Sequence, residues 1–185
     1  KRVGMAKLTM DGRELEFAPG TSLIQLAEKN GIDIPYYCWH PRLSIAANCR
    51  MCLVEVEKAP KLQPACEAMC RDGMVVHTKS KKVLEARAAV QEFLLINHPI
   101  DCPICDQAGE CKLQNYYMRH DASGTRFDEI KVPKKKAVIL GPTVVLDEER
   151  CINCTRCVRF MDEVRHNPQL GQFERGDRAV IGIYP

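Results

Sequence analysis

Apolar and polar positions alternate along residues 6–17 of this 185-residue chain. Ala6-Lys7-Leu8-Thr9-Met10 and Arg13-Glu14-Leu15-Glu16-Phe17 flank Asp11-Gly12. An Asp-Gly pair between two period-two runs predicts a tight hairpin, because both turn positions need positive φ. The period then changes. Thr21 or Ser22 can cap a helix with Leu23, Ile24, Leu26 and Ala27 on its apolar side, and Gly31 supplies a left-handed stop. Cys52–Glu57 alternates as a strand, and Met74–Thr78 predicts another. Hairpin, helix and further strands within about 80 residues fit a small α+β domain. Ser80 can cap a second helix with Val83, Leu84, Ala88, Phe93, Leu94 and Leu95 on its apolar side, ending before Pro99. Leu113, Tyr116 and Tyr117 predict a short helix across Cys111–His120. Residues 121–136 contain Gly124, Pro133 and Lys134-Lys135-Lys136 and read as a linker. After 137 come a short strand-like stretch and a helix through Arg159, Val164 and Arg165.

Composition narrows the class of protein. Net charge is only +3, so electrostatics favour no partner, and the lysine run is expected to be a solvated linker rather than a nucleic-acid contact. Residues Lys1–Leu8 hold no signal-peptide core, and no run approaches the roughly 20 apolar residues of a membrane span. No direct membrane insertion is expected. The cysteine count is 11, an odd number, and several cysteines stand two residues apart. A secreted disulfide framework favours an even count, so thiolates held by metal in a reducing compartment are expected instead.

Ten of those cysteines and one histidine fall into three groups. Cys38, Cys49, Cys52 and Cys66 read C-x10-C-x2-C-x13-C. Four soft thiolates suit a [2Fe–2S] cluster, a [4Fe–4S] cluster or zinc. Three ligands on one loop with a distant fourth is the plant-type ferredoxin arrangement, here with a longer first gap. Ala46, Ala47 and Asn48 would let backbone amides turn toward the sulfurs and tune the potential. His98, Cys102, Cys105 and Cys111 read H-x3-C-x2-C-x5-C, and by chemistry alone leave zinc and iron equally open. Cys151, Cys154 and Cys157 read C-x2-C-x2-C without a local fourth ligand. Cys70 is left over and reads as a small packed thiol, with ligand exchange against Cys66 the alternative. His40, His77, His120 and His166 read as surface or hydrogen-bonding residues. No G-x-G-x-x-G dinucleotide motif and no hydrolase constellation is visible, so no substrate-transforming site is expected on this chain.

Tyr37-Cys38-Trp39-His40-Pro41-Arg42-Leu43-Ser44, Cys49-Arg50-Met51-Cys52-Leu53-Val54-Glu55-Val56-Glu57 and Gly73-Met74-Val75-Val76 resemble the amino-terminal ferredoxin domain of the largest iron–sulfur subunit of respiratory complex I, NADH:quinone oxidoreductase. His98-Pro99-Ile100-Asp101-Cys102-Pro103-Ile104-Cys105 through Cys111-Lys112-Leu113-Gln114 is similar to that family's motif of one histidine and three cysteines. The resemblance covers essentially the whole chain.

The resemblance implies an α+β architecture. A β-grasp plant-type ferredoxin domain over 1–80 would hold one [2Fe–2S] cluster on Cys38, Cys49, Cys52 and Cys66. A small helical domain over 81–121 would hold a [4Fe–4S] cluster on His98, Cys102, Cys105 and Cys111. A linker over 122–136 would lead to a partial [4Fe–4S] domain over 137–185. That last domain would hold a second [4Fe–4S] cluster on Cys151, Cys154 and Cys157 only if a missing fourth ligand is supplied. In the family that cysteine stands some tens of residues further on, so a fragment is expected.

The implied role is electron transfer, from a flavin subunit that oxidises NADH through the clusters toward quinone, alongside other peripheral-arm iron–sulfur subunits. The implied location is the cytoplasmic face of a bacterial inner membrane, or the matrix side in a mitochondrion. The same ferredoxin domain occurs in diaphorase subunits of NAD-linked hydrogenases and formate dehydrogenases. Those relatives place a cysteine four residues after Cys157, where this chain has Met161. A zinc-stapled interaction module is the alternative of another class.

Overall fold

The computed structural model describes residues 6–120 and 124–184. The expected junction at 121–122 and Pro185 lie outside the described residues. The hairpin forms as β1 (Ala6–Met10) and β2 (Arg13–Phe17), with Ala6 opposite Phe17 and Met10 opposite Arg13. Asp11 and Gly12 take φ of 48° and 79°, as the turn requires. The Asp11 carboxylate accepts hydrogen bonds from the Thr78 amide at 2.7 Å and the Thr78 hydroxyl at 2.5 Å.

Ser22 is the cap of α1 (Leu23–Lys29) and forms a reciprocal pair with Gln25: the Ser22 amide donates to Gln25 Oε1 at 3.0 Å, and the Gln25 amide donates to Ser22 Oγ at 3.5 Å. Such a cap contributes about 1 kcal/mol. Leu23, Ile24, Leu26 and Ala27 are buried against the sheet, and burial of each Leu or Ile stabilises the fold by about 1.5–3 kcal/mol. Gly31 takes the left-handed conformation just past the helix.

Three further strands complete the sheet: β3 (Leu53–Val56), β4 (Gln63–Pro64) and β5 (Val75–His77). The order is β2-β1-β5-β3-β4, with β1 and β5 parallel and every other neighbour antiparallel. This mixed sheet gripping one helix is the expected β-grasp ferredoxin arrangement. Strand β4 was not foreseen, because two residues carry no period. Its register brings Ala65 against Cys52, whose carbonyl accepts the Ala65 amide at 2.9 Å.

Ser80 caps α2 (Lys81–Leu95) as expected, but the buried face differs from the expected one. Leu84 is 44% and Phe93 73% exposed, whereas Val83, Arg87 and Gln91 are buried. The buried stripe runs at i, i+4 and i+8, and its polar members are accepted because they find partners. Arg87 Nη2 donates to the Leu53 carbonyl at 3.0 Å, and Gln91 joins the Tyr37 hydroxyl at 2.6 Å to the Leu113 carbonyl at 3.0 Å. Helix α3 (Lys112–His120) packs on α2 and closes a second small core of Tyr37, Met51, Leu113 and Tyr116.

Residues 124–136 form neither helix nor strand. They run along the end of α2, with Lys131 Nζ donating to the Leu95 and Ile96 carbonyls at 2.8 Å each. The lysine run is largely exposed, as expected of a solvated linker, but two of its three side chains find partners. Lys134 Nζ donates to the Ala179 carbonyl at 2.7 Å, and Lys136 pairs with Asp101, Asp147 and Glu149. A distant carbonyl holds Lys134 and distant carboxylates hold Lys136, which their local composition could not show. The remainder comprises the pair β6 (Val138–Ile139) and β7 (Val145–Leu146), the helix α4 (Arg156–Glu163), and the pair β8 (Leu170–Phe173) and β9 (Val180–Ile183).

Candidate functional site

The first cysteine group sits inside the ferredoxin-like core. Cys38, Cys52 and Cys66 are at most 1% exposed, and Cys49 is partly buried. The Cys38 side chain interacts with those of Cys49 and Cys66, and Cys52 with Cys66. All four predicted ligands are therefore together. Ala47 and Arg50, on either side of Cys49, take φ of 48° and 58°. Left-handed residues in a loop turn successive amides to one side and make an anion-binding concavity. The amides of Cys49 and Asn48 reach the Cys38 sulfur, and those of Cys38 and Met51 reach the Cys49 sulfur. The Cys38 amide stands 3.5 Å from Cys49 Sγ.

These thiols share protons. Hydrogen bonds from Cys49 and Cys66 pull the Cys38 thiol well below the ordinary thiol range, and one from Cys66 lowers Cys52. Cys49 and Cys66 are pushed up, first by their bonds to those thiolates and then by burial. Four sulfurs in a water-poor core with inward amides fit an anionic iron–sulfur group, since thiolate is the ligating form and N–H···S bonds stabilise its charge. Cys70 stands apart. Burial pushes its thiol up to about 11, so it stays protonated at neutral pH, and it packs against the main core.

The second group lines one cavity. His98, Cys102, Cys105 and Cys111 all face a space of about 730 Å³, together with Leu95, Leu113 and Phe127. A short 3-10 turn, Cys102–Ile104, and the start of α3 carry the cysteines. Ile100 takes a φ of 52° just before the turn. Burial lowers the His98 pKa, which favours the neutral, ligating imidazole. Three sulfur donors and one imidazole lining one half-open cavity fit a cluster by their chemistry.

The third group is looser. Cys151 and Cys154 are partly buried, and Cys157 is exposed. Asn153 and Thr155, on either side of Cys154, take φ of 51° and 57°, repeating the loop device of the first group. Burial pushes the Cys151 and Cys157 thiols up. Arg156 Nε approaches Cys154 Sγ at 3.3 Å. Among the described residues, no three His, Cys, Asp or Glu side chains converge tightly enough to chelate a single ion. A cluster has several irons and accepts sulfurs spread around it.

Charged side chains stitch the groups together. Arg150, immediately before Cys151, binds Asp101, immediately before Cys102, through Nη2 at 2.8 Å and Nε at 3.1 Å. The Arg150 hydrogen bond holds the Asp101 carboxyl down at about 2, with Lys136 assisting. Arg87 places a buried guanidinium beside the first group, and the Cys52 charge opposes the loss of its proton that burial favours. Lys112 lies over the Tyr36 ring at 4.1 Å, and the Tyr36 amide donates to the Tyr116 hydroxyl at 3.4 Å. Sequence reasoning missed Arg87, Gln91, Asp101 and Arg150. The spacing from Val83 marks the first two once the buried face is known, and adjacency to a ligand cysteine marks the last two.

Family comparisons match three stretches of the chain, each containing one of the cysteine groups. Residues 4–81 match a 2Fe-2S iron-sulfur cluster binding domain. Residues 87–126 match the NADH-ubiquinone oxidoreductase-G iron-sulfur binding region. Residues 141–185 match the ferredoxin-like domain of NADH-quinone oxidoreductase subunit 3. The chain belongs to the family of the iron–sulfur G subunit of NADH-quinone oxidoreductase.

Relatives within this family are close over the full chain. The 78 kDa subunit of mitochondrial NADH-ubiquinone oxidoreductase from Candida albicans is 48% identical over 100% of this chain and 26% of the relative. The Neurospora crassa counterpart is 49% identical over 100% of this chain and 25% of its own length. The G subunit of NADH-quinone oxidoreductase from Rickettsia bellii is 46% identical over 97% of this chain and 26% of its own. The chain thus spans about a quarter of the length of these relatives. A solved NAD+-reducing [NiFe]-hydrogenase chain matches with a TM-score of 0.86 and 29% identity, over 95% of this chain and 74% of that one. Among the described residues, no helix is long and apolar enough to cross a membrane.

Proposed function

We propose that this chain is an electron-transfer segment of NADH:quinone oxidoreductase, relaying electrons from an NADH-oxidising flavin subunit toward quinone beside other iron–sulfur subunits of the peripheral arm. It would work on the cytoplasmic side of a bacterial inner membrane, or on the matrix side in a mitochondrion. The observation that carries this reading is the enclosure of Cys38, Cys49, Cys52 and Cys66 in one core with amides turned onto their sulfurs. The family match and the cavity shared by His98, Cys102, Cys105 and Cys111 support it.

The residues divide the work among three units with boundaries at 1–80, 81–121 and 137–185, joined by 122–136. Cys38, Cys49, Cys52 and Cys66 would hold a [2Fe–2S] cluster. His98, Cys102, Cys105 and Cys111 would hold a [4Fe–4S] cluster, and Cys151, Cys154 and Cys157 three corners of another. When bound, such clusters take up and give back one electron at a time. The chain's own contribution is to exclude water around the first group and to fix each ligand by its loop. It also sets fixed charges nearby, namely Arg87, Arg150 and Lys136.

Iron, sulfide and zinc content of anaerobically purified full-length protein, with EPR of the reduced form, tests the reading. Two irons and two sulfides at the first site and four of each at the second are expected. Stoichiometric zinc with negligible iron, under adequate iron supply, overturns it in favour of a zinc-stapled module. The hydrogenase likeness favours a second reading, a diaphorase segment of an NAD-linked hydrogenase. Met161 disfavours it, because that position carries no thiol.

A further inference from the structure

Helix α4 has no fully buried residue, and its apolar Val158 and Met161 are only half-buried. Polar contacts tie it to the ferredoxin-like unit. Arg159 Nη2 donates to the carbonyl of Cys38 at 2.6 Å and to the carbonyl of Cys154 at 3.3 Å. Its Nη1 donates to the Ser44 carbonyl at 2.5 Å. One turn on, Glu163 accepts the Ser44 amide at 2.7 Å and the Ser44 hydroxyl. Asn48 Nδ2 donates to the Asn153 carbonyl at 3.2 Å between the same two loops. Arg159 Nε is buried and has no partner among the described residues.

We propose that Arg159 is a positioning residue shared by the first and third cysteine groups, whose one guanidinium both locks the Cys38 and Cys154 peptides and raises the reduction potential at both sites. The inference rests on the function proposed above. The fork suits this role, because a planar guanidinium carries five donors in fixed directions and can hold two chain segments at a set distance and angle. Lysine offers the same charge without the fork. The charge matters because a reduced site carries one more negative charge than an oxidised one. A fixed cation between two sites therefore favours the added electron at each. The Ser44 hydroxyl and amide, with a lesser contribution from the Arg159 charge, hold the Glu163 carboxyl below its usual range, and among the described residues no ion pair closes between Glu163 and Arg159, so the guanidinium stays directed at the ligand peptides.

The test is redox titration by EPR on the iron-loaded full-length protein, for wild type, Arg159→Met, Arg159→Lys and a control, Arg165→Met. Arg165 is exposed near the same helix end. The expected result for Arg159→Met is a fall at both the first and third sites, on the order of tenfold in each reduction equilibrium, or about 59 mV for one electron. Arg159→Lys should fall by less at both, and Arg165→Met should leave both unchanged. Equal and unmoved potentials in Arg159→Met and Arg159→Lys, with iron content intact, overturn the inference and leave the proposed function standing. A shift at the third site alone overturns the shared role. Wild-type protein that binds zinc instead of iron overturns the proposed function and the inference together. Should Arg159→Met fail to fold, the potentials of Arg159→Lys decide: both lowered supports the proposal, and neither lowered defeats it.

Discussion

The first and third cysteine groups use the same loop device and live in opposite surroundings. In both, left-handed residues flank a central cysteine: Ala47 and Arg50 around Cys49, Asn153 and Thr155 around Cys154. The first group is set in a core built by a sheet and a capped helix, where three of its thiols are essentially inaccessible. The third is carried by a thin segment with an exposed Cys157, held against its neighbours by arginines and carboxylates. The loop alone shapes a ligand set; the surroundings decide whether water reaches it. The first group's enclosure is paid for by apolar burial, and the third group's position depends on charge.

Removing ligands should separate the two most sharply. Cys66→Ser is expected to abolish the first cluster's EPR signal, while Cys70→Ser leaves it intact, because Cys70 lies outside the sulfur group. Cys154→Ser should abolish the third signal and spare the first. Loss of the first signal in Cys70→Ser would reassign its fourth ligand.

The second site lies between these extremes. His98→Cys replaces a neutral ligand by a thiolate and adds a negative charge to the cluster. A lowered potential with four irons retained is the expected outcome of a redox titration. A raised or unchanged potential at full iron content would falsify ligation by His98.

A smaller effect probes what enclosure owes to polar contacts. Tyr37→Phe removes the hydroxyl that donates to Gln91 at 2.6 Å and leaves a buried acceptor unpaired. Loss of about 1–3 kcal/mol in a denaturant titration is expected. Gln91→Leu combined with Tyr37→Phe should recover only part of it, since the change removes the orphaned Gln91 oxygen but also the donor to the Leu113 carbonyl.

The smallest effect concerns charge at the third group. Asp101 is held near 2 by Arg150, below the roughly 3.9 of an unfolded chain. A depressed carboxyl stabilises the folded contact above the unfolded value, and that contribution fades as pH falls from about 4 to about 2. Amide protection factors around Arg150 should therefore drop across that window while those around Val54 hold. Asp101→Asn should show the lower protection already at neutral pH.

Legibility in the sequence followed the range of the interactions. The hairpin, the Ser22 and Ser80 caps and the Gly31 stop were readable because their causes lie within a few residues. The three ligand groups were visible as spacings, and their family came through whole motifs. The buried face of α2 was misjudged. Leu84 and Phe93 look like core residues, but the surface facing the helix presents the Leu53 carbonyl and the Tyr37 hydroxyl, which select Arg87 and Gln91. The arginine bridges were equally hidden, because Arg150 and Asp101 lie 49 residues apart and no local pattern links them.

The reach of Arg159 across 121 residues to the Cys38 carbonyl bears on biogenesis. A ribosome adding about 5–20 residues per second needs about 6–24 s to make the chain between them. Once residue 80 is made, with about 79 residues and about 4–16 s still to run before Arg159, the ferredoxin-like unit is complete in sequence, with its core, caps and all four thiols, and lacks the Arg159 guanidinium on its loop. Metal delivery to the first group can thus begin on a nascent chain, whereas the clasp that joins it to the third group can close only afterwards. Maturation of this segment has a direction in time.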